Sequence, residues 1–254
     1  MVLNIIDLSV PIDNNSKEPF PAEIKYTDHR SSVERASNLF GIDAKDWPEG
    51  KAWATEFVSL TTHTGTHIDA PYHYWDKTGE KPAKKVHELP LSWFIGDGVL
   101  LNFSHKEPGS VISKNEVIEE LKRINHILSP GEIVLIRTDS DKEFFNDHYA
   151  DIHPGISAEA TQYLIKQGIK VMGTDGYGWD VPFHIQGKKF KDTNDPSVLW
   201  EAHYVGKELE YVQIEKLANL DKIPTPTGFK VIAFPIKITG ASGSWVRPVA
   251  ILGL

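Results

Sequence analysis

The residues best suited to chemistry are concentrated in one short segment, His63-Thr64-Gly65-Thr66-His67-Ile68-Asp69. It carries two imidazoles and a carboxylate, and His73 follows shortly after Pro71. Imidazole and carboxylate groups suit Zn, Mn, Fe or Ni. Ligands bind zinc at about 2 Å, so the side chains that share an ion must converge on it. The spacing therefore predicts a metal site.

The backbone conformation of this segment decides whether its ligands can meet. Fully extended, residues 63–67 would span roughly 13 Å, which is too far for one ion. A helix is disfavoured, because Thr64 and Thr66 are β-branched and flank a glycine. We therefore predict a tight bend at Gly65, where glycine tolerates unusual dihedral angles.

Composition excludes several other functions. The chain has 254 residues, a net charge of −8 and no cysteine. Disulfides, thiolate metal sites and a cysteine nucleophile are therefore excluded, and an acidic surface does not favour nucleic acid. No apolar stretch is long enough for a transmembrane helix, and the first residues lack the basic region of a signal peptide. We expect a cytoplasmic protein whose partner is a small-molecule substrate.

Hydrophobic periodicity and capping signals predict three helices and several strands. The helices are expected at 113–127, capped by Ser113 with Glu116, at 157–167, and from Asp195-Pro196 to Gly206. Strands are expected at 5–10, 55–62, 98–103, 132–138, 169–173, 208–214, 230–237 and 247–251. Residues 13–54 look like a long surface excursion that forms a lid. We predict one mixed α/β domain over 1–254, with helices packed on a curved, largely antiparallel, barrel-like sheet.

The run from His63 through Asp69 to Pro71 and His73 resembles the His-x-Gly-Thr-His-x-Asp-x-Pro-x-His signature of the cyclase family. That family includes bacterial kynurenine formamidases and isatin hydrolases. Three other stretches are also similar to the family, so the resemblance spans nearly the whole chain apart from 13–54 and 176–196. They are 7–12, 173–175 and 235–247. The resemblance implies a swivelling β/β/α fold.

The resemblance also implies an activity and a set of residues. It implies hydrolysis of a carbon–nitrogen bond in an amide, formamide or cyclic amide by water that one or two Zn or Mn ions activate. His73 would act as general acid and base, and the protein would be a homodimer or homotetramer. The family has a downstream His and Glu twelve residues apart, which His203 and Glu215 match here. The implied metal ligands are His63, His67, Asp69, His203 and Glu215, the last two either binding a second ion or donating and accepting hydrogen bonds.

Other assignments remain open at this level. Four aromatic residues are expected to line the substrate pocket: Trp75, Tyr177, Trp179 and Trp245. A lactone or ester hydrolase is one alternative activity. A non-haem Fe(II) oxygenase using His67, Asp69 and His203 is another, although His63 would crowd its open positions. A metal-binding module without catalysis is a third, and His73 argues against it.

Overall fold

The computed structural model describes residues 3–253. The strands within this range are β1 Asn4–Asp7, β2 Glu23–Thr27, β3 Thr55–Ser59, β4 His67–Asp69, β5 Lys77–Thr78, β6 Lys81–Pro82, β7 Ile95–Asn102, β8 Val111–Ile112, β9 Ile133–Arg137, β10 Gly155–Ile156, β11 Val171–Thr174, β12 Val212–Glu215, β13 Phe229–Ile232, β14 Gly243–Trp245 and β15 Val249–Leu252. The α-helices are α1 Val33–Phe40, α2 Pro71–Tyr74, α3 Lys114–Arg123, α4 Tyr149–Ile152, α5 Ala158–Lys166 and α6 Phe183–Thr193.

Nine of these strands form one curled sheet in the order β1-β15-β13-β7-β9-β11-β12-β4-β14. The four central strands β7, β9, β11 and β12 run parallel. Every other neighbouring pair in this sheet is antiparallel. The predicted mixed α/β fold with a largely antiparallel, curved sheet is therefore confirmed.

The parallel centre of the sheet is buried on both faces because helices or curled strands cover it. Alternate residues of β9 enter different cores: Ile133 and Leu135 pack into one, and Val134 and Ile136 into the other. Helices α3 and α5 cover the second core. Their positions follow from the chain path, because parallel neighbours need a crossover connection.

Two predicted helices are confirmed, together with their caps. The Ser113 hydroxyl accepts the Glu116 N–H, and the Glu116 carboxylate accepts the Ser113 N–H, as a capping box requires. This helix ends at Arg123, four residues earlier than predicted. At the start of α5, the Ser157 hydroxyl accepts the Ala160 N–H.

The predicted third helix, from Asp195 to Gly206, is wrong. Asp195 caps only a single 3-10 turn, Pro196–Val198, and the chain then passes through Trp200 with φ of +54°. A left-handed residue cannot continue a right-handed helix. The helix of this region lies earlier, at α6, and ends where Asn194 turns left-handed.

Residues 13–54 contain ordered elements that the sequence did not reveal. Strand β2 pairs with β3 in a separate antiparallel ribbon, so the predicted strand at 55–62 ends at Ser59 and does not join the main sheet. Helix α1 follows β2. Within residues 3–253, no helix combines the length and apolar character needed to cross a bilayer.

Candidate active site

The histidine segment adopts the predicted bend. Gly65 has φ of +65°, a conformation in which most other residues would be strained. The bend leads directly into β4, whose His67 and Asp69 side chains are buried. The imidazole of His63 packs closely against Gly243. A Cβ at position 243 would lie 2.5 Å from Cε1 of that imidazole, so only glycine leaves room for it. The bend and the neighbouring strand therefore bring these side chains together.

The downstream pair reaches the same place by strand pairing and by a short turn. In the β4–β12 ladder, Glu215 lies opposite His67. His203 begins a 3-10 turn at His203–Lys207, and its Nδ1 donates to a carboxylate oxygen of Asp180. The turn and the strand pairing thus bring His203 and Glu215, twelve residues apart in sequence, to within 3.5 Å of each other.

One group of donor atoms surrounds a gap between β4 and β12. The Nε2 atom of His67 lies 3.3 Å from Oδ1 of Asp69 and 3.6 Å from Oε2 of Glu215. The Nε2 atom of His203 lies 3.7 Å from Oδ2 of Asp69 and 3.5 Å from Oε1 of Glu215. Donors bound about 2.1 Å from one ion at tetrahedral angles lie about 3.4 Å apart, so these spacings fit a shared cation.

A second group meets the first at Asp69. The Nδ1 atom of His63 lies 2.7 Å from Oδ1 of Asp69, and the Nε2 atom of His73 lies 3.9 Å from Oδ2. One donor atom each from His63, Asp69 and His73 falls within 4.8 Å of the others, as is also true of His67, Asp69 and Glu215. Asp69 therefore belongs to both groups and would be a ligand to an ion held by either. His73, predicted to be an acid and base, lies within reach of the same centre.

The Asp69 carboxylate provides the test of whether this arrangement fits a metal. Its Oδ2 atom is buried and has no hydrogen-bond partner among residues 3–253. A buried carboxylate oxygen without a partner is costly, and its distances to the His73 and His203 nitrogens are too long for hydrogen bonds. A bound cation would satisfy this oxygen. The donor set therefore fits a divalent metal.

Two histidines are oriented in the way that metal ligands usually are. Nδ1 of His67 donates to the Gly65 carbonyl at 2.9 Å, and Nδ1 of His203 donates to Asp180. In each ring the Nε2 lone pair is then directed at the carboxylates. Metal-binding histidines commonly donate their second N–H to a carbonyl or carboxylate in this manner.

Without a cation, the pKa values reflect crowded, buried charges. Burial, followed by the nearby charge of Asp69, raises the pKa of Glu215 to about 7. Burial would lower the pKa of His203, but its hydrogen bond to Asp180 and the nearby carboxylates of Asp69 and Glu215 raise it to about 10. Burial lowers the pKa of His73 to about 4. A proton and a metal compete for the same Nε2 lone pair of His203, so metal binding would release that proton.

A cavity of about 270 Å³ opens onto these donors. Its lining includes His63, His67, His73, His203 and Glu215, and its outer part is largely aromatic. Among residues 3–253, the aromatic side chains that line it are Phe20, Tyr177, Phe183 and Trp200. Its size is at the lower end for small-molecule sites.

Of the four aromatic residues predicted to line the pocket, only Tyr177 does so. Trp179 is fully buried in the core, where its indole N–H donates to Thr161. Trp75 lies on the outer surface, where its ring packs against Tyr204. Trp245 lies beside a different surface groove and donates to the Thr61 carbonyl. The structure does not bring these last three side chains to the cavity, because aromatic character alone does not indicate which side of the sheet a residue occupies.

Trp200 is the main lining residue that the sequence did not single out. Its ring stacks on His203 at 4.6 Å between centroids and lies 5.2 Å from the His73 ring. The Gln186 side chain accepts its backbone N–H and holds the left-handed conformation. An isolated tryptophan three residues before a histidine carries no recognisable signal, so only the fold reveals this contact.

Comparison with known proteins agrees with this geometry. A family model described as "Putative cyclase" matches residues 6–181, more than two thirds of the chain. The chain belongs to the cyclase family. Among curated cyclase-family relatives, kynurenine formamidase from Bacillus cereus is 28% identical over 250 residues, covering 96% of this chain and 95% of the relative.

Solved structures of isatin hydrolases share the fold over nearly the whole chain. Isatin hydrolase A from Ralstonia solanacearum has a TM-score of 0.78 at 22% identity, covering 99% of this chain and 92% of the other. Isatin hydrolase A from Labrenzia aggregata, bound to benzyl benzoate, has a TM-score of 0.74 at 26% identity, covering 98% and 94%. These comparisons support a hydrolase of the cyclase family.

Proposed function

We propose that this protein is a metal-dependent hydrolase that cleaves the carbon–nitrogen bond of a small aromatic amide, formamide or cyclic amide. The observation that carries this proposal is the buried Asp69, shared between two groups of imidazole and carboxylate donors at the inner end of an aromatic cavity. The names of the kynurenine formamidase and isatin hydrolase relatives support the same bond type.

His63, His67, Asp69, His203 and Glu215 would hold one or two Zn or Mn ions. Such an ion, when bound, supplies Lewis acidity, lowers the pKa of a bound water to about 7, and polarises a carbonyl. Asp69 holds both donor groups at a fixed separation. Asp180 keeps the His203 ring in the orientation that points Nε2 inward.

His73 is placed to move the proton. Its ring lies beside His63, with 4.1 Å between centroids, and lines the cavity. A neutral imidazole there accepts a proton as water adds to the carbonyl and donates it to the leaving nitrogen. Trp200 packs against the same ring and excludes bulk water from that side.

The donor count argues against the oxygenase alternative. A two-histidine, one-carboxylate oxygenase needs open positions around its iron. Here Glu215 lies 3.5 Å from the His203 nitrogen and 3.6 Å from that of His67, where an open position would be required. The arrangement therefore favours hydrolysis.

Metal analysis combined with a substrate panel tests the proposed function. Purified protein is expected to contain one or two equivalents of Zn or Mn and to hydrolyse formanilides or isatin-type cyclic amides under anaerobic conditions. Removal of the metal abolishes turnover, and Zn or Mn restores it. Turnover of lactones or phenyl esters alone would assign the ester hydrolase alternative. Activity that needs both iron and oxygen would overturn hydrolysis.

We also propose that the protein is a homodimer or homotetramer. The β2–β3 ribbon carries large apolar side chains that are more than half exposed: Tyr26, Phe57 and Val58. Tyr26 and Val58 share one face of the ribbon and Phe57 lies on the other, and exposed apolar surface of this kind is typical of association sites. Light scattering is expected to give two or four times the 28.5 kDa chain mass, and a monomer would contradict this proposal.

A further inference from the structure

A buried ion pair forms part of the cavity wall. Nζ of Lys216 lies 3.3 Å from Oε2 of Glu18, and neither side chain is more than 3% exposed. The same Nζ donates to the His63 carbonyl at 2.8 Å and lies 4.4 Å from the centre of the Tyr177 ring. An ammonium group has three N–H donors, so these contacts occupy the bonding capacity of Lys216.

Glu18 is engaged just as fully. Its two oxygens accept the Gly65 N–H at 3.0 and 3.1 Å, in addition to the contact with Lys216. A residue from the 13–54 segment thus fastens the bend that carries the metal donors. Both charges of the pair therefore have partners within the protein.

The other ionisable groups outside the metal donors offer no free positive charge. Asp180 accepts the backbone N–H groups of Ala202 and His203 as well as the His203 imidazole N–H. His153 is neutral, because burial lowers its pKa to about 4. Among the lining residues in the range 3–253, Lys216 is the sole lysine or arginine. A carboxylate on the aromatic part of a bound substrate, away from the metal donors, would therefore lose its water without gaining a free cationic partner, which is costly.

We infer that this site, given the proposed hydrolase function, selects uncharged aromatic carbonyl compounds, and that the Glu18–Lys216 pair sets this selectivity. The pair holds the lysine of the cavity wall away from the substrate. Release of Lys216 from Glu18 would supply the missing partner for a substrate carboxylate.

Three related substrates test this selectivity: formanilide, 4-formamidobenzoate and the methyl ester of that acid. The ester matches the acid in bulk but lacks its charge. For the metal-loaded wild type, kcat/KM for the ester is expected to exceed that for the acid by about tenfold or more, the scale of a lost hydrogen bond to a charged group. Equal values would overturn the selectivity.

Variants of the pair test its role. Glu18→Gln keeps an amide oxygen for the Gly65 N–H but removes the charge opposite Lys216, and is expected to raise the acid-to-ester ratio about tenfold. The double variant Glu18→Gln, Lys216→Met is expected to lose this rise. Glu49→Gln, in the exposed pair with Lys51, is the matched control and should leave the ratio unchanged. An unchanged ratio in Glu18→Gln would overturn the role of the pair.

A binding measurement separates this inference from the proposed reaction. Calorimetry with 4-acetamidobenzoate and its methyl ester, on metal-loaded wild type and Glu18→Gln, reports charge selectivity without turnover. If Glu18→Gln does not fold, Lys216→Met replaces it and is expected to lower the affinity for the acid relative to the ester, because Glu18 then faces the ligand unpaired. Absence of turnover with all three formanilides, together with the expected binding ratios, would reject the proposed reaction but retain the selectivity. Turnover of the formanilides without the expected binding ratios would reject the selectivity and retain the proposed reaction.

Discussion

The two ends of the cavity are built in different ways. The metal floor, comprising His63, His67, Asp69, His203 and Glu215, stands on or beside the paired strands β4 and β12. The aromatic wall, comprising Phe20, Tyr177, Phe183 and Trp200, comes from loops and helix starts far apart in the sequence. Strand pairing fixes His67, Asp69 and Glu215 of the floor in one hydrogen-bond register, whereas loop packing and single hydrogen bonds such as that between Trp200 and Gln186 position the wall. The proposed function assigns chemistry to the floor and contact with the aromatic part of the substrate to the wall.

Replacing Asp69 should give the largest effect, since this residue joins both donor groups. Asp69→Asn is expected to lose bound metal and to lower kcat by about 10³-fold or more, since a catalytic metal supplies several kcal/mol of transition-state stabilisation. Elemental analysis and steady-state kinetics measure the two losses. Asp97→Asn, at an exposed aspartate on β7, is the control. A variant with full metal content and activity would remove Asp69 from the metal centre.

His73→Ala is expected to separate metal binding from proton transfer. The variant should retain the wild-type metal content while kcat falls about 10²- to 10⁴-fold, the usual contribution of general acid–base catalysis. Loss of metal along with activity would instead identify His73 as a metal ligand. The metal content decides between the two roles, because donor atoms of His63, Asp69 and His73 lie within 4.8 Å of one another.

Trp200→Leu should affect the wall and leave the floor intact. Removing the ring that stacks on His203 is expected to raise KM roughly threefold to tenfold, the energy scale of one aromatic pair. Metal content should stay at the wild-type level. Trp75→Leu, on the outer surface, serves as the control and should leave KM within about twofold, since an exposed residue outside the cavity contributes little. Equal effects of the two substitutions would contradict the proposed wall.

Two glycine substitutions test the bend through stability. Gly65→Ala places a side chain at φ of +65° and is expected to lower the free energy of unfolding of the metal-free protein by about 1–2 kcal/mol. Gly187→Ala lies inside α6 with open space around it and should raise that free energy by up to about 1 kcal/mol. Urea denaturation measures both. A neutral Gly65→Ala would mean that the bend tolerates ordinary residues.

Sequence reasoning anticipated the floor better than the wall, for a physical reason. The His63–Asp69 part of the floor lies within seven residues, so a local pattern reports it, whereas His203 and Glu215 were expected only from the resemblance to the cyclase family. Tyr177 and Trp179 lie two positions apart in an irregular loop, and only one enters the cavity, so no periodicity separates them. Glu18 and Lys216 meet across 198 residues, a contact that no local pattern encodes. The wrong helix prediction at 195–206 has the same origin, because the left-handed Trp200 depends on its hydrogen bond to Gln186.

The register that sets Glu215 opposite His67 has a mechanical consequence. An ion held by both residues would cross-link the adjacent strands β4 and β12 near one edge of the sheet. Because it binds the folded chain and has little hold on the unfolded one, free cation at 100 times its dissociation constant adds about 2.7 kcal/mol to the free energy of unfolding. Melting temperature should therefore climb with added Zn or Mn and fall with a chelator, so thermal stability would report how full the site is.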